Sequence, residues 1–130
     1  MKTLKQFTLI FMTALLILGT TSCNKKKKDD GPKTPLEILT DGSWTMKLQE
    51  SYDRYGTLIS SNPMNTTYTF HDDGTYTMGN QSGTYTFTEG NPHMIHIHNT
   101  DYRVPVLTET EMVWEHDISG GGVNKFIFEK

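Results

Sequence analysis

The sequence predicts an all-β domain: a small eight-stranded antiparallel meander β-barrel preceded by a short helical turn. Three observations predict it. From Trp44 onward apolar residues recur at every second position, the period of strands with one face in a core. Turn residues break that alternation at a spacing of roughly 8–12 residues. No interval between the runs has room for the crossover helix that parallel pairing requires. A β-sandwich is the alternative arrangement of the same strands. A barrel is favoured because short connections make sequential strands neighbours, and eight strands close at a diameter that side chains can just fill. Closure also removes the edges of low-charge, threonine-rich strands such as Thr66–Phe70.

The elements follow in chain order. Thr34 and Glu37 have the spacing of a capping box, Pro35 occupies the first helical position, and Gly42 can end the turn. Leu36, Ile38 and Leu39 on that turn are placed to bury against one end of the barrel. The alternating runs are Trp44–Tyr52, Thr66–Phe70, Thr75–Met78, Gly83–Phe87, Met94–His98, Tyr102–Val106, Glu111–His116 and Val123–Phe128. Asp73-Gly74, between two of these runs, is a strong hairpin signal because Gly accepts the positive φ that such turns need. Pro105 cannot donate to a ladder, so a bulge or an unpaired stretch is expected there.

The 130 residues suit one domain, and a single Cys excludes both a disulfide framework and a cysteine-based zinc module. Ahead of the domain, Lys2 and Lys5, the apolar run Phe7–Leu18 and the small residues Gly19–Ser22 read as a signal peptide over residues 1–22. Twelve residues rise about 18 Å in a helix, short of the roughly 30 Å hydrocarbon core. The small-residue run ending in Cys23 resembles the lipobox of bacterial lipoproteins, which implies acylation of Cys23. Residues 23–35 then form the lipidated Cys and a charged tether with nothing apolar after the anchor to pack. Lys28-Asp29-Asp30 resembles the signal that sends some Bacteroidetes lipoproteins to the outer face of the outer membrane. The expected placement is therefore lipid-anchored to the outer membrane, on its periplasmic or cell-surface face. The folded domain is residues 36–130.

From Leu36 onward there are five basic residues against thirteen acidic ones, a net of −8, and no basic stripe. Nucleic acid is therefore not an expected partner. His96 and His98 stand at i and i+2, on one face of a predicted strand, and with His116 they are weak candidates for a metal site. Ile95 and Ile97 claim the core face of that strand, which turns the histidines to water. Glu109, Glu111, Glu115 and Asp117 read as a solvated acidic face, and no nucleophile-elbow pattern is present. Enzymatic activity is not expected, and no cofactor is implied. The candidate barrel-lining residues are Trp44, Met46, Tyr68, Phe70, Tyr76, Tyr85, Phe87 and Trp114. They either fill the barrel or line a pocket at its mouth.

Several motifs in order carry a family likeness: Gly42-Ser43-Trp44, Tyr68 through Tyr76 across the second hairpin, Ser82-Gly83-Thr84-Tyr85, Leu107 through Met112, and the closing Phe126-Ile127-Phe128-Glu129-Lys130. Over residues 36–130 the chain resembles the bacterial lipocalin-like lipoproteins of the Bacteroidetes type. The resemblance implies that Trp44 seals the barrel floor; the family pairs that Trp with an Arg on the last strand, and here the chain departs from the pattern, offering only Lys125 or Lys130. The resemblance also implies a non-catalytic module that binds a small hydrophobic ligand. The alternatives are a packed barrel acting as an interaction or inhibitor module toward an envelope protein, and a His-based metal binder. The expected partners are thus the membrane through the lipid anchor, and a small apolar ligand or an envelope protein.

Overall fold

Thr34 opens the fold as a helix cap. In the computed structural model, which describes residues 31–130, its hydroxyl accepts the Glu37 N–H at 3.2 Å. The Glu37 carboxylate accepts the Thr34 N–H at 2.8 Å, completing the box around α1 (Pro35–Thr40). The signal peptide, Cys23 and the tether up to Asp30 lie outside the described residues. Leu39 is the buried residue of α1. Its carbonyl accepts the indole N–H of fully buried Trp44 at 2.9 Å, which ties helix to barrel. Lys130 completes the seal, with Nζ 4.4 Å over the Trp44 ring and donating to the Ile38 carbonyl at 3.0 Å.

Nine strands follow: β1 (Ser43–Tyr52), β2 (Leu58–Phe70), β3 (Thr75–Met78), β4 (Gln81–Thr84), β5 (Thr86–Thr88), β6 (His93–Ile97), β7 (Thr100–Leu107), β8 (Glu111–Ile118) and β9 (Gly122–Glu129). They form one antiparallel sheet in the order β4-β3-β2-β1-β9-β8-β7-β6-β5. The first and last elements of that order, β4 and β5, are separated only by Tyr85. The sheet therefore curls into a nearly closed barrel, and a two-sheet sandwich is ruled out. Closure between the ends of the chain is explicit: β1 pairs with β9 from Thr45↔Glu129 to Tyr52↔Val123.

Nine strands replace the expected eight because the run Gly83–Phe87 breaks at Tyr85. Tyr85 donates its N–H to the Gly74 carbonyl at 2.8 Å and its hydroxyl to the His71 carbonyl at 2.7 Å. One piece of chain thus serves two neighbours, β3 before the break and β6 after it. β2 begins at Leu58, eight positions ahead of the expected Thr66. Its first half, Ser60-Ser61-Asn62-Pro63, has no apolar alternation because it pairs with β1 alone. Pro63 is tolerated there, on an edge. β6 ends at Ile97 rather than His98: His98 and Asn99 take φ of +53° and +59°, the two-residue turn that matches strand twist. The register shift between Arg103 and Val106 places the bulge at Pro105, as expected.

Two turns share one design. In Asp53–Thr57 and His71–Thr75 a glycine with φ near +80° follows a tight turn: Gly56 donates to the Asp53 carbonyl at 3.0 Å, and Gly74 to the His71 carbonyl at 3.2 Å. Asp side chains tie down the same loops, Asp53 accepting from Thr57 N–H at 2.8 Å and Asp73 from Thr75 N–H at 2.9 Å.

Candidate functional site

The lower barrel is solid. Seven of the eight predicted lining residues, Trp44, Met46, Tyr68, Phe70, Tyr76, Tyr85 and Trp114, are buried in one cluster with Leu39, Ile95, Ile97, Val104, Met112 and Phe128. Their rings interlock: Phe70 meets Tyr85 edge-on at 5.0 Å, and Trp114 lies 4.5 Å from Phe128. Phe87 is only half-buried and packs at the margin, its ring 5.5 Å from His93. Gly83 is needed opposite Tyr76, because a Cβ there would sit 2.8 Å from the Tyr76 ring.

The upper interior has different chemistry, and a bulge creates it. Met46 pairs with Phe128, but Leu48 pairs with Ile127 and Gln49 with Phe126. Phe126 and Phe128 share a face, so Gln49 inherits the inward face of Met46. The expected continuation of the apolar face through Leu48 to Tyr52 is thereby corrected. Those two side chains stand on the outer face with Ile127 and Val123. Inward instead come Gln49 and Ser51 from β1, Ser60 and Asn62 opposite them on β2, and Asn124 of β9 opposite His116 of β8. The Ser51 hydroxyl donates to Asn124 Oδ1 at 2.7 Å, and His116 lies 5.5 Å from the Tyr102 ring. Half-buried Met64, Met78, Tyr102 and Phe126 pack on the core between this polar ring and the solid floor. The inward face is therefore apolar in the lower barrel and carries amides and hydroxyls in the upper part, where Asn62 is exposed at the rim.

Two donors at the junction stand out. Trp114 is 2% exposed, and its indole N–H has no hydrogen-bond partner. The Tyr68 ring, 7% exposed, meets Trp114 edge-on at 5.7 Å. Burial, then the neighbouring Tyr102 and Tyr76 hydroxyls, push the Tyr68 phenol above its ordinary value. Burial likewise raises Tyr102, against a hydrogen bond from Thr100.

The histidines do not converge. His98 leaves the strand and hydrogen-bonds the Tyr76 hydroxyl through Nε2. His96 Nδ1 lies 2.6 Å from the Asp101 carboxylate, and His116 Nδ1 lies 3.3 Å from the Asp101 carbonyl. Because His98 sits in a turn, the shared face expected for His96 and His98 is lost. Among the described residues no three His, Cys, Asp or Glu side chains are grouped to hold a metal ion.

The acidic strand face is paired rather than simply solvated. Arg103 grips Asp117 through two bonds of 2.7 and 2.8 Å, and Lys125 reaches Glu115 at 3.3 Å. The Arg103 hydrogen bond holds the Asp117 carboxyl below its usual range. Beside the rim, Tyr55, Ile59 and Leu58 are 77%, 63% and 49% exposed. Tyr55 and Ile59 flank a cleft of about 250 Å³ that also touches Tyr52, Arg54 and Ile118.

Comparison with family models and with curated proteins returned no match. The polar inward-facing residues escaped sequence reasoning because Ser, Asn and Gln read as surface; the bulge that turns them inward has no signature in Met46-Lys47-Leu48.

Proposed function

We propose that this is an exported, lipid-anchored envelope protein whose barrel binds a small amphipathic molecule in its upper interior, without catalysis. The observation that carries the reading is the change of lining halfway up the barrel. Side chains that only filled space would remain apolar to the rim; here Gln49, Ser51, Asn62 and Asn124 sit above Met64, Tyr102 and Phe126. That order suits a ligand with an apolar body and a polar end. The signal-peptide pattern and Cys23 support export and acylation. The Trp44–Lys130 seal beside α1 supports the likeness to lipocalin-like lipoproteins, with lysine in the place where an arginine was expected from that family.

The test is native mass spectrometry of the protein purified from its own host without detergent. A reproducible adduct that denaturation releases is the expected result. Bare protein from every growth condition would remove the reading. A second reading would then lead, that of a module docking an envelope protein. The exposed Tyr55, Leu58 and Ile59 beside the rim cleft favour it.

A further inference from the structure

We propose that the free edge of β2 pairs with the same edge of a second copy of this chain, in an antiparallel seam centred on Ser61. The inference is independent of what the barrel interior holds. β2 pairs with β1 from Leu58 to Thr69, whereas β3 covers its other side only at Tyr68, Thr69 and Phe70. Among the described residues no strand or turn bonds that other side between Leu58 and Thr66. A strand paired on one side leaves every second N–H and C=O pointing outward, a template for another strand. The stretch is also open to solvent, with Leu58, Ile59, Ser61, Asn62 and Pro63 all exposed. What fits such an edge is an extended backbone.

Two features make that backbone a second copy. The edge has the same chemistry read in either direction: Ile59-Ser60-Ser61-Asn62-Pro63 is apolar, three polar, apolar. An antiparallel dyad at Ser61 sets Ile59 against the copy's Pro63 and Ser60 against its Asn62, like against like. Charge is the second feature. The domain from Leu36 onward carries a net of −8, yet β2 has no charged residue. Glu50, opposite Ser61 on β1, already accepts the Tyr52 hydroxyl at 2.7 Å. Across the dyad the two β1 strands stand three strand spacings apart, about 14 Å, beyond the screening length of about 8 Å at physiological salt. A like-charged copy can therefore approach along this edge. The seam closes on itself, because a two-fold interface uses the same edge of both copies and leaves none over. Pro63 brings no N–H, which keeps the ladder short.

The experiment introduces cysteine into the full-length chain at these exposed positions and reads cross-linking on non-reducing gels after mild oxidation of the host cells. Wild type, which retains Cys23, sets the background. Ser61→Cys should give a disulfide dimer, because directly opposite Cα atoms lie about 4.5–5.5 Å apart, inside bridging range. Ile59→Cys and Pro63→Cys expressed singly should each give about tenfold less dimer, because each stands four residues from its own counterpart along the seam, about 13 Å. Coexpressed, those two variants should cross-link to each other. No dimer from Ser61→Cys, or equal cross-linking at all three positions, would overturn the seam. A Ser61→Cys adduct with a different protein in place of the dimer would overturn it too, and would give the edge to another chain's strand.

Discussion

Replacing Gly122 with alanine tests the closure of the barrel at its most crowded seam. Gly122 begins β9 opposite Ile118, one residue before the Tyr52↔Val123 rung that joins β9 to β1. An added Cβ would sit 2.4 Å from the Tyr52 carbonyl oxygen and 3.0 Å from Ile118 Cδ1. The isoleucine can rotate away. The carbonyl cannot, because it belongs to a paired strand. Overpacking of this kind costs about 1–3 kcal/mol. Loss of a neighbouring ladder bond adds roughly 1 kcal/mol. The smaller entropy of unfolded alanine offsets about 0.4–1 kcal/mol. The net is a loss of about 2–3 kcal/mol, or roughly 10–20 °C in melting temperature for a domain of this size. Gly56→Ala is the control. It has φ of +80° and nothing within 4 Å of the added Cβ, so only the left-handed backbone is penalised, at about 1 kcal/mol. Thermal and urea unfolding of the two variants supply the comparison. If Gly122→Ala melts no lower than Gly56→Ala, the β1–β9 seam is not packed as described.

Three further outcomes are expected. In the folded protein Asp117 is held below its ordinary value by its hydrogen bond from Arg103, and Asp73 by that from the Thr75 hydroxyl. Their stabilisation is complete above the unfolded value of about 4 and fades as pH falls through the lower folded values. Melting temperature should therefore drop more steeply toward pH 2 for wild type than for the Asp73→Asn/Asp117→Asn double variant. At the alkaline end, burial raises Tyr68, Tyr85 and Tyr102, so stability is full below about pH 10 and declines as pH climbs through their folded values. Phenolate absorbance should show these three ionising together with loss of near-ultraviolet circular dichroism, and gradual titration of all six tyrosines with the fold intact would contradict their burial. Cys23→Ala expressed in the host should shift the protein from the membrane fraction to the soluble one. Unchanged membrane association would sink the acyl-anchor proposal.

Local signals were legible in the sequence where one residue type does one job. Thr34, Pro35 and Glu37 spell out the cap, Asp73-Gly74 the hairpin, and Pro105 the bulge, and each is where the fold has it. The alternation also identified the floor of the barrel, because Trp44, Tyr68, Phe70 and Trp114 can only face inward. What stayed hidden depends on pairing. Nothing in Thr84-Tyr85-Thr86 marks the point where one strand changes neighbours. The parity reversal after Met46 exists only against its partner strands, Thr66 and Pro63 on one side and Phe128 and Phe126, about eighty positions away, on the other. It decides that Gln49 and Ser51 face inward while Leu48 and Tyr52 do not. His98 looked like strand because Ile95 and Ile97 alternate up to it, and the backbone turn at His98-Asn99 ended the strand there. Ser60 and Asn62 were invisible as strand because the face they turn inward is polar.

The most direct test of ligand binding in the upper interior is a methionine methyl NMR spectrum recorded before and after adding a lipid-soluble extract of the host. Met64 and Met78 are half-buried on the upper margin of the core, whereas Met46 and Met112 are sealed within it. The resonances of the first pair should shift while the second pair hold still. Four unmoved methyls, or a response confined to Tyr55, Leu58 and Ile59 on the rim, would place any binding elsewhere.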